Sequence, residues 1–176
     1  MKQFTLLFTI LVAGMSVLQS CKKDRDPDFL MSNQEFVTQA SSSHMLEIDA
    51  GNLAANDATS DTVKRYGTFL AQSHTAAFDE LETLATQKGL TILSEMNDLD
   101  QNNYDVLDNS NAEQFDRNFL YLMLLSHQDT YSLYYNASRP NGVPDPQLRA
   151  WAAQKLESIE EHFDEAQELY GASSTQ

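Results

Sequence analysis

Four histidines occur in the chain, His44, His74, His127 and His162, and each falls in a different stretch of helical periodicity. Each lies about 15 to 17 residues past the start of its stretch, roughly 24 Å along a helix that rises ~1.5 Å per residue. A mid-helix position in every helix means one common layer, whichever way each helix runs. Glu47 stands one turn from His44 on the same face, and Asp116 lies three turns before His127. Imidazole nitrogens and carboxylate oxygens converging between helices are how helical proteins build transition-metal sites. The candidate metal ligands are therefore Glu47, His74, His127 and His162, with His44 and Asp116 as further members. Zinc, copper, iron and manganese can each be argued for such a donor set.

Two other readings stand beside that one. Histidine is of intermediate burial tendency, so a histidine layer can be hydrogen-bonded core and nothing more. Imidazoles titrating near pH 6.5 could also make the layer an acid sensor. A carboxylate-rich di-iron centre is disfavoured, because it wants Glu-x-x-His on two helices. Here Ala71, Leu124 and Ile159 stand three residues before His74, His127 and His162. No catalytic residue is assigned. The chain holds one cysteine and no Gly-x-Ser-x-Gly or His-Glu-x-x-His motif. Asp98-Leu99-Asp100 resembles the start of a calcium loop but has Asn103 and Asn109 where that loop needs Gly and Glu.

The elements that must carry these residues are four long amphipathic helices. The first is expected from about 28 to 56 with Asp28 as N-cap. Its inward stripe is Val37, Ala40, His44, Glu47, Gly51 and Ala54. The second runs from about 60 to 88 and stops at Gly89, a natural residue just past a helix end. A polar connection with a short helix near 96–107 leads to a third helix over 112–138, which Arg139-Pro140-Asn141-Gly142 breaks. The fourth starts near Asp145 with Pro146 in its first turn. Short links between long helices predict an all-α, antiparallel four-helix bundle over residues 28–170, with 171–176 a flexible tail.

The opening segment reads as an address. Lys2 precedes an apolar run from Phe4 to Leu18. That run is shorter than the ~20 residues of a membrane-spanning helix but suits a secretory signal. It ends in Leu18-Gln19-Ser20-Cys21, which resembles the lipobox of bacterial lipoproteins. Residues 1–20 are thus expected to be a signal peptide, Cys21 the lipidated residue and 22–27 a tether. An uncleaved anchor is the competing reading, and Lys22, Lys23 and Arg25 would suit it. Lipidation makes the membrane a partner and places the protein in the cell envelope. The residues after Cys21 suggest the outer membrane, and an envelope protein is a further expected partner. The formal net charge of −15, with 26 acidic residues against 11 basic, argues against nucleic acid.

Several local sequences together resemble one family: Glu47-Ile48-Asp49-Ala50-Gly51-Asn52-Leu53-Ala54, Ser73-His74-Thr75, Phe115-Asp116-Arg117-Asn118-Phe119-Leu120, His127, and His162-Phe163-Asp164-Glu165-Ala166. In order and spacing the chain is similar to the bacterial DUF4142 family, over about residues 28–170. That resemblance implies a ferritin-like helical bundle in the envelope and no settled chemistry. It also implies a recurrent acid at Glu47 and recurrent histidines at His74, His127 and His162, whereas His44 sits where the family commonly has a small residue. The family often has Asp directly before the first two of those histidines. Ser73 and Ser126 stand there in this chain, which implies weaker support for a metal site.

Overall fold

The computed structural model describes residue 26 and residues 28–173. Its described residues fold as five helices without a strand: α1 (Asn33–Asp57), α2 (Asp61–Gln87), α3 (Asp98–Asp108), α4 (Ala112–Ser138) and α5 (Pro146–Ser173). The signal run, Cys21 and most of the tether lie outside the described residues. None of the described helices is long and apolar enough to cross a membrane.

Each start has a local cause. Ser60, Asn97 and Asn111 cap α2, α3 and α4 through their side chains. The first helix begins at Asn33 and not near Asp28, because Ser32 and Glu35 form a reciprocal capping box. The residues before it are spent elsewhere: the Leu30 and Met31 amides donate to the Asn141 and Gly142 carbonyls in the α4–α5 turn. Gly89 follows α2 with φ +65, the left-handed conformation that glycine adopts at least cost. α5 runs on through Ser173, into the stretch expected as a tail.

The three-residue link after α1 makes α1 and α2 a hairpin, and α4 and α5 form a second pair. Gly51 and Gly67 let the first pair approach closely. A Cβ added to Gly51 would sit 2.6 Å from the Gly67 carbonyl oxygen, and one added to Gly67 would sit 2.7 Å from the Gly51 oxygen. The long α2–α3 connection is tied back across α1. Gln34 bonds both the amide and the carbonyl of Thr91, and the Ser41 and Ser42 hydroxyls accept from the Leu93 and Asn97 amides.

Two hydrophobic cores fill the interior. One gathers Phe36, Leu81, Tyr134, Leu148 and Trp151; the other gathers Val63, Tyr66, Leu70, Phe119 and Met123. Both are apolar and driven by burial. His44, Glu47, His74, Ser126, His127 and His162 belong to neither, and all of them are buried. In each long helix they fall between the residues of the two cores, so a polar layer crosses the middle of the molecule.

Candidate metal centre

The helical stripes bring five of the six candidate ligands together. Ring centroids lie 5.3 Å apart for His44 and His74, 5.5 Å for His74 and His127, 5.0 Å for His74 and His162, and 5.4 Å for His127 and His162. His44 and His74 face each other because the α1–α2 hairpin that aligns Gly51 with Gly67 also aligns these positions. Asp116 does not join them. Its carboxylate accepts from the Thr59 amide, the Thr59 hydroxyl and the Ser60 amide, each at 2.8 Å. It locks the α1–α2 turn at one end of the molecule. Helical spacing from His127 put Asp116 on a plausible face but at the wrong height.

Three of the histidines are tethered from outside the cluster by one nitrogen and turn the other inward. His127 Nδ1 is 2.7 Å from the Met123 carbonyl oxygen. That oxygen can only accept, so Nδ1 carries the proton and Nε2 is a bare lone pair. His44 Nε2 is 2.8 Å from the Tyr134 hydroxyl, leaving Nδ1 inward. His162 Nε2 meets the Ser73 hydroxyl at 3.2 Å and Ser158 at 3.5 Å, leaving Nδ1 inward. Such outer hydrogen bonds fix ring orientation and tautomer for a ligating imidazole.

His74 lies at the centre of the cluster. Its Nδ1 is 3.0 Å from His44 Nδ1 and 2.9 Å from Glu47 Oε2, and its Nε2 is 3.1 Å from His162 Nδ1. Glu47 Oε1 accepts from the Ser126 hydroxyl at 2.7 Å and lies 3.9 Å from His127 Nε2. The serines directly before His74 and His127 are thus both engaged: Ser126 supports Glu47, and Ser73 supports His162. The sequence signalled their positions, but as a loss and not as partners.

Among the described residues, two buried side-chain atoms have no hydrogen-bond partner, Glu47 Oε2 and His127 Nε2. The 2.9 Å approach of His74 Nδ1 to Glu47 Oε2 is close but lacks hydrogen-bond alignment. Both atoms are electron-pair donors, and leaving them unpaired in a dry interior is costly.

The electrostatics favour the same donor chemistry. Burial, with the neighbouring His74, pushes the His44 pKa down to about 3. Burial, with His74 and His127 beside it, pushes His162 down to about 3 as well. Burial also lowers His127, against the opposing pull of Glu47. These three rings are neutral at pH 7, the form that binds metal. Burial alone would raise Glu47, but His74 and His127 outweigh it and hold the carboxyl well below its ordinary range. The carboxylate is therefore ionised at 0% exposure, beside the neutral rings of His44, His127 and His162 and 2.9 Å from His74 Nδ1. Such a charge needs a positive partner, which His74 at 2.9 Å or a bound cation can supply.

Among the described residues, two groups of donors are close enough to hold an ion: His74, His127 and His162, and His44, Glu47 and His74, with ligand atoms within 4.8 Å of one another in each. Bonds of ~2.0–2.1 Å in tetrahedral array place ligand atoms about 3.3 Å apart. The 2.9, 3.0 and 3.1 Å separations around His74 fall within a few tenths of that. On the α2–α5 side the layer is flanked by Phe69. That half-exposed ring stands 5.1 Å from the His162 ring, edge to face.

The sequence profile of the domain of unknown function DUF4142 matches residues 19–169. The chain belongs to the DUF4142 family. No protein of established annotation matches it. Among solved structures this DUF4142 chain is similar to a DUF305 fragment from Deinococcus radiodurans, with TM-score 0.67 and 16% identity over 78% of this chain and 94% of that one. It is also similar to CopM in its Cu(I)-bound form, with TM-score 0.66 and 19% identity over 81% of this chain and 97% of that one. The Cu(II)-bound form of CopM gives TM-score 0.63 at 17% identity, with the same coverage. At these identities the likeness is one of helical fold.

Proposed function

We propose that the protein is an envelope-anchored lipoprotein that binds a transition metal in the His/Glu layer of a four-helix bundle. In this reading α1, α2, α4 and α5 are the bundle, antiparallel and ferritin-like, and α3 is an extra helix in the connection. The observation that carries the proposal is the pair of buried, unpaired donors, Glu47 Oε2 and His127 Nε2, in a layer of inward-facing imidazole nitrogens. The ligands are Glu47, His74, His127 and His162, with His44 beside them.

Imidazoles with one carboxylate and no thiolate suit copper or zinc better than magnesium or calcium. Copper is the first choice: its affinity for nitrogen sites is the highest of the divalent series, and two of the structures with a similar fold are copper-bound forms of CopM. A site this deeply buried is fitted to hold and sequester a metal. Catalysis is not part of the proposal.

The test uses the chain from residue 22 onward, loaded with copper or zinc and measured by elemental mass spectrometry beside a His127→Ala/His162→Ala variant. Metal retained by the wild type and lost by the variant supports the reading. A folded wild type that retains none sinks it and leaves the layer as core packing.

The anchor is proposed on the Leu18–Cys21 sequence alone. The lipid at Cys21 tethers the domain to the outer membrane, facing the periplasm or the surface, where an envelope protein could meet it. Incorporation of labelled fatty acid that survives Cys21→Ser would refute it.

A further inference from the structure

His74 differs from the other three histidines in its bonding. His44, His127 and His162 each spend one ring nitrogen on an outer partner (Tyr134, the Met123 carbonyl, and Ser73 with Ser158) and offer only the other to the cluster. His74 makes no such outer bond among the described residues. Its Nδ1 faces His44 and Glu47, and its Nε2 faces His162. The two candidate donor groups therefore share this residue, and each can be served by a different nitrogen.

The geometry points to two adjacent metal positions joined through the His74 ring: one held by His44 Nδ1, Glu47 Oε2 and His74 Nδ1, the other by His74 Nε2, His162 Nδ1 and His127 Nε2. This inference rests on the metal-binding reading above and adds the number of ions and the way they are joined. The outer hydrogen bonds divide in the same way. Tyr134 steadies His44 for the first position, while the Met123 carbonyl, Ser73 and Ser158 steady His127 and His162 for the second. Ser126 holds Glu47 Oε1, which leaves Oε2 as the ligand atom. With a metal on each nitrogen the ring has no place for its single N–H proton, so the second ion displaces that proton to solvent. The imidazolate and the Glu47 carboxylate then supply two negative charges inside a dry layer, matched without excess by two cuprous ions.

The decisive measurement is native mass spectrometry of the full mature chain loaded with Cu(I), with helical content and melting recorded for every variant. Two ions are expected in the wild type. His44→Gln and Glu47→Gln should each keep one, His127→Gln and His162→Gln should each keep one, and His74→Gln should keep neither. Loading with Cu(II) gives a second readout. Spins coupled through the shared ring should lose most of their resonance intensity in the wild type, and a full single-ion signal should return in each one-sided variant. One ion in the wild type would overturn the inference and leave the metal-binding reading intact. No ion in a folded wild type would overturn both. Two ions that both survive His74→Gln, or two uncoupled Cu(II) signals, would overturn the bridge.

Discussion

Acid should unfold the metal-free protein steeply, and the slope can be worked from the layer. The folded pKa values of His44 and His162 lie near 3, below the ordinary 6.5, mainly because burial penalises the charged ring. Below pH 6.5 the unfolded chain binds protons at these positions and the folded chain does not. Their contribution is thus complete above pH 6.5 and is lost as pH falls from 6.5 toward 3. Each ring costs ~1.4 kcal/mol per pH unit in that window, so moving from pH 7 to pH 5 removes about 2 kcal/mol per ring and about 4 kcal/mol for both. That is a large part of the ~5–15 kcal/mol stability of an ordinary domain. Glu47, held below its usual range, adds loss only below about pH 4.5, where the unfolded carboxyl protonates. Acidification also reduces the formal charge of −15, which relieves repulsion and acts in the opposite direction. Urea unfolding of chelator-treated protein at pH 7, 6 and 5, followed by circular dichroism, should therefore be compared with a His44→Phe/His162→Phe variant. The variant removes the two rings and keeps the surface charge. A wild type that loses no more stability than this variant between pH 7 and 5 would refute the reasoning.

Three further outcomes are expected. Gly51→Ala places a Cβ 2.6 Å from the Gly67 oxygen and should cost about 1–3 kcal/mol in denaturant titrations, as overpacked helix contacts do. Ser126→Ala removes the hydroxyl bonded to Glu47 Oε1 and should weaken metal binding about 10–100-fold by competition with a chelator, while the fold persists. Asp116→Ala removes three bonds to the α1–α2 turn and should cost about 1–2 kcal/mol. Its metal content should stay at the wild-type level; a loss of metal would return Asp116 to the ligand set.

Much of the helical order was legible because it is written in short-range chemistry. The start of α2 at Ser60, the glycine after it, the span of α4 and Pro146 at the head of α5 all follow from caps and breakers within a few residues. The start of α1 was not, since Asp28 and Ser32 are both good caps. The choice between them was made by contacts of Leu30 and Met31 with a turn more than a hundred residues away.

The histidine layer shows the same division. One histidine at mid-length in each of four helices is a sequence fact, and the packing of the long helices turns it into one buried layer. Periodicity gives the face on which a side chain lies, but not which neighbour stands at its height. Helical spacing alone therefore puts Asp116 on the site's face, while its carboxylate caps a distant turn. Nor could sequence reveal that Ser73 and Ser126 reach His162 and Glu47, or which ring nitrogen each histidine turns inward. Those depend on hydrogen bonds between helices far apart in the chain, and only the tertiary packing sets them.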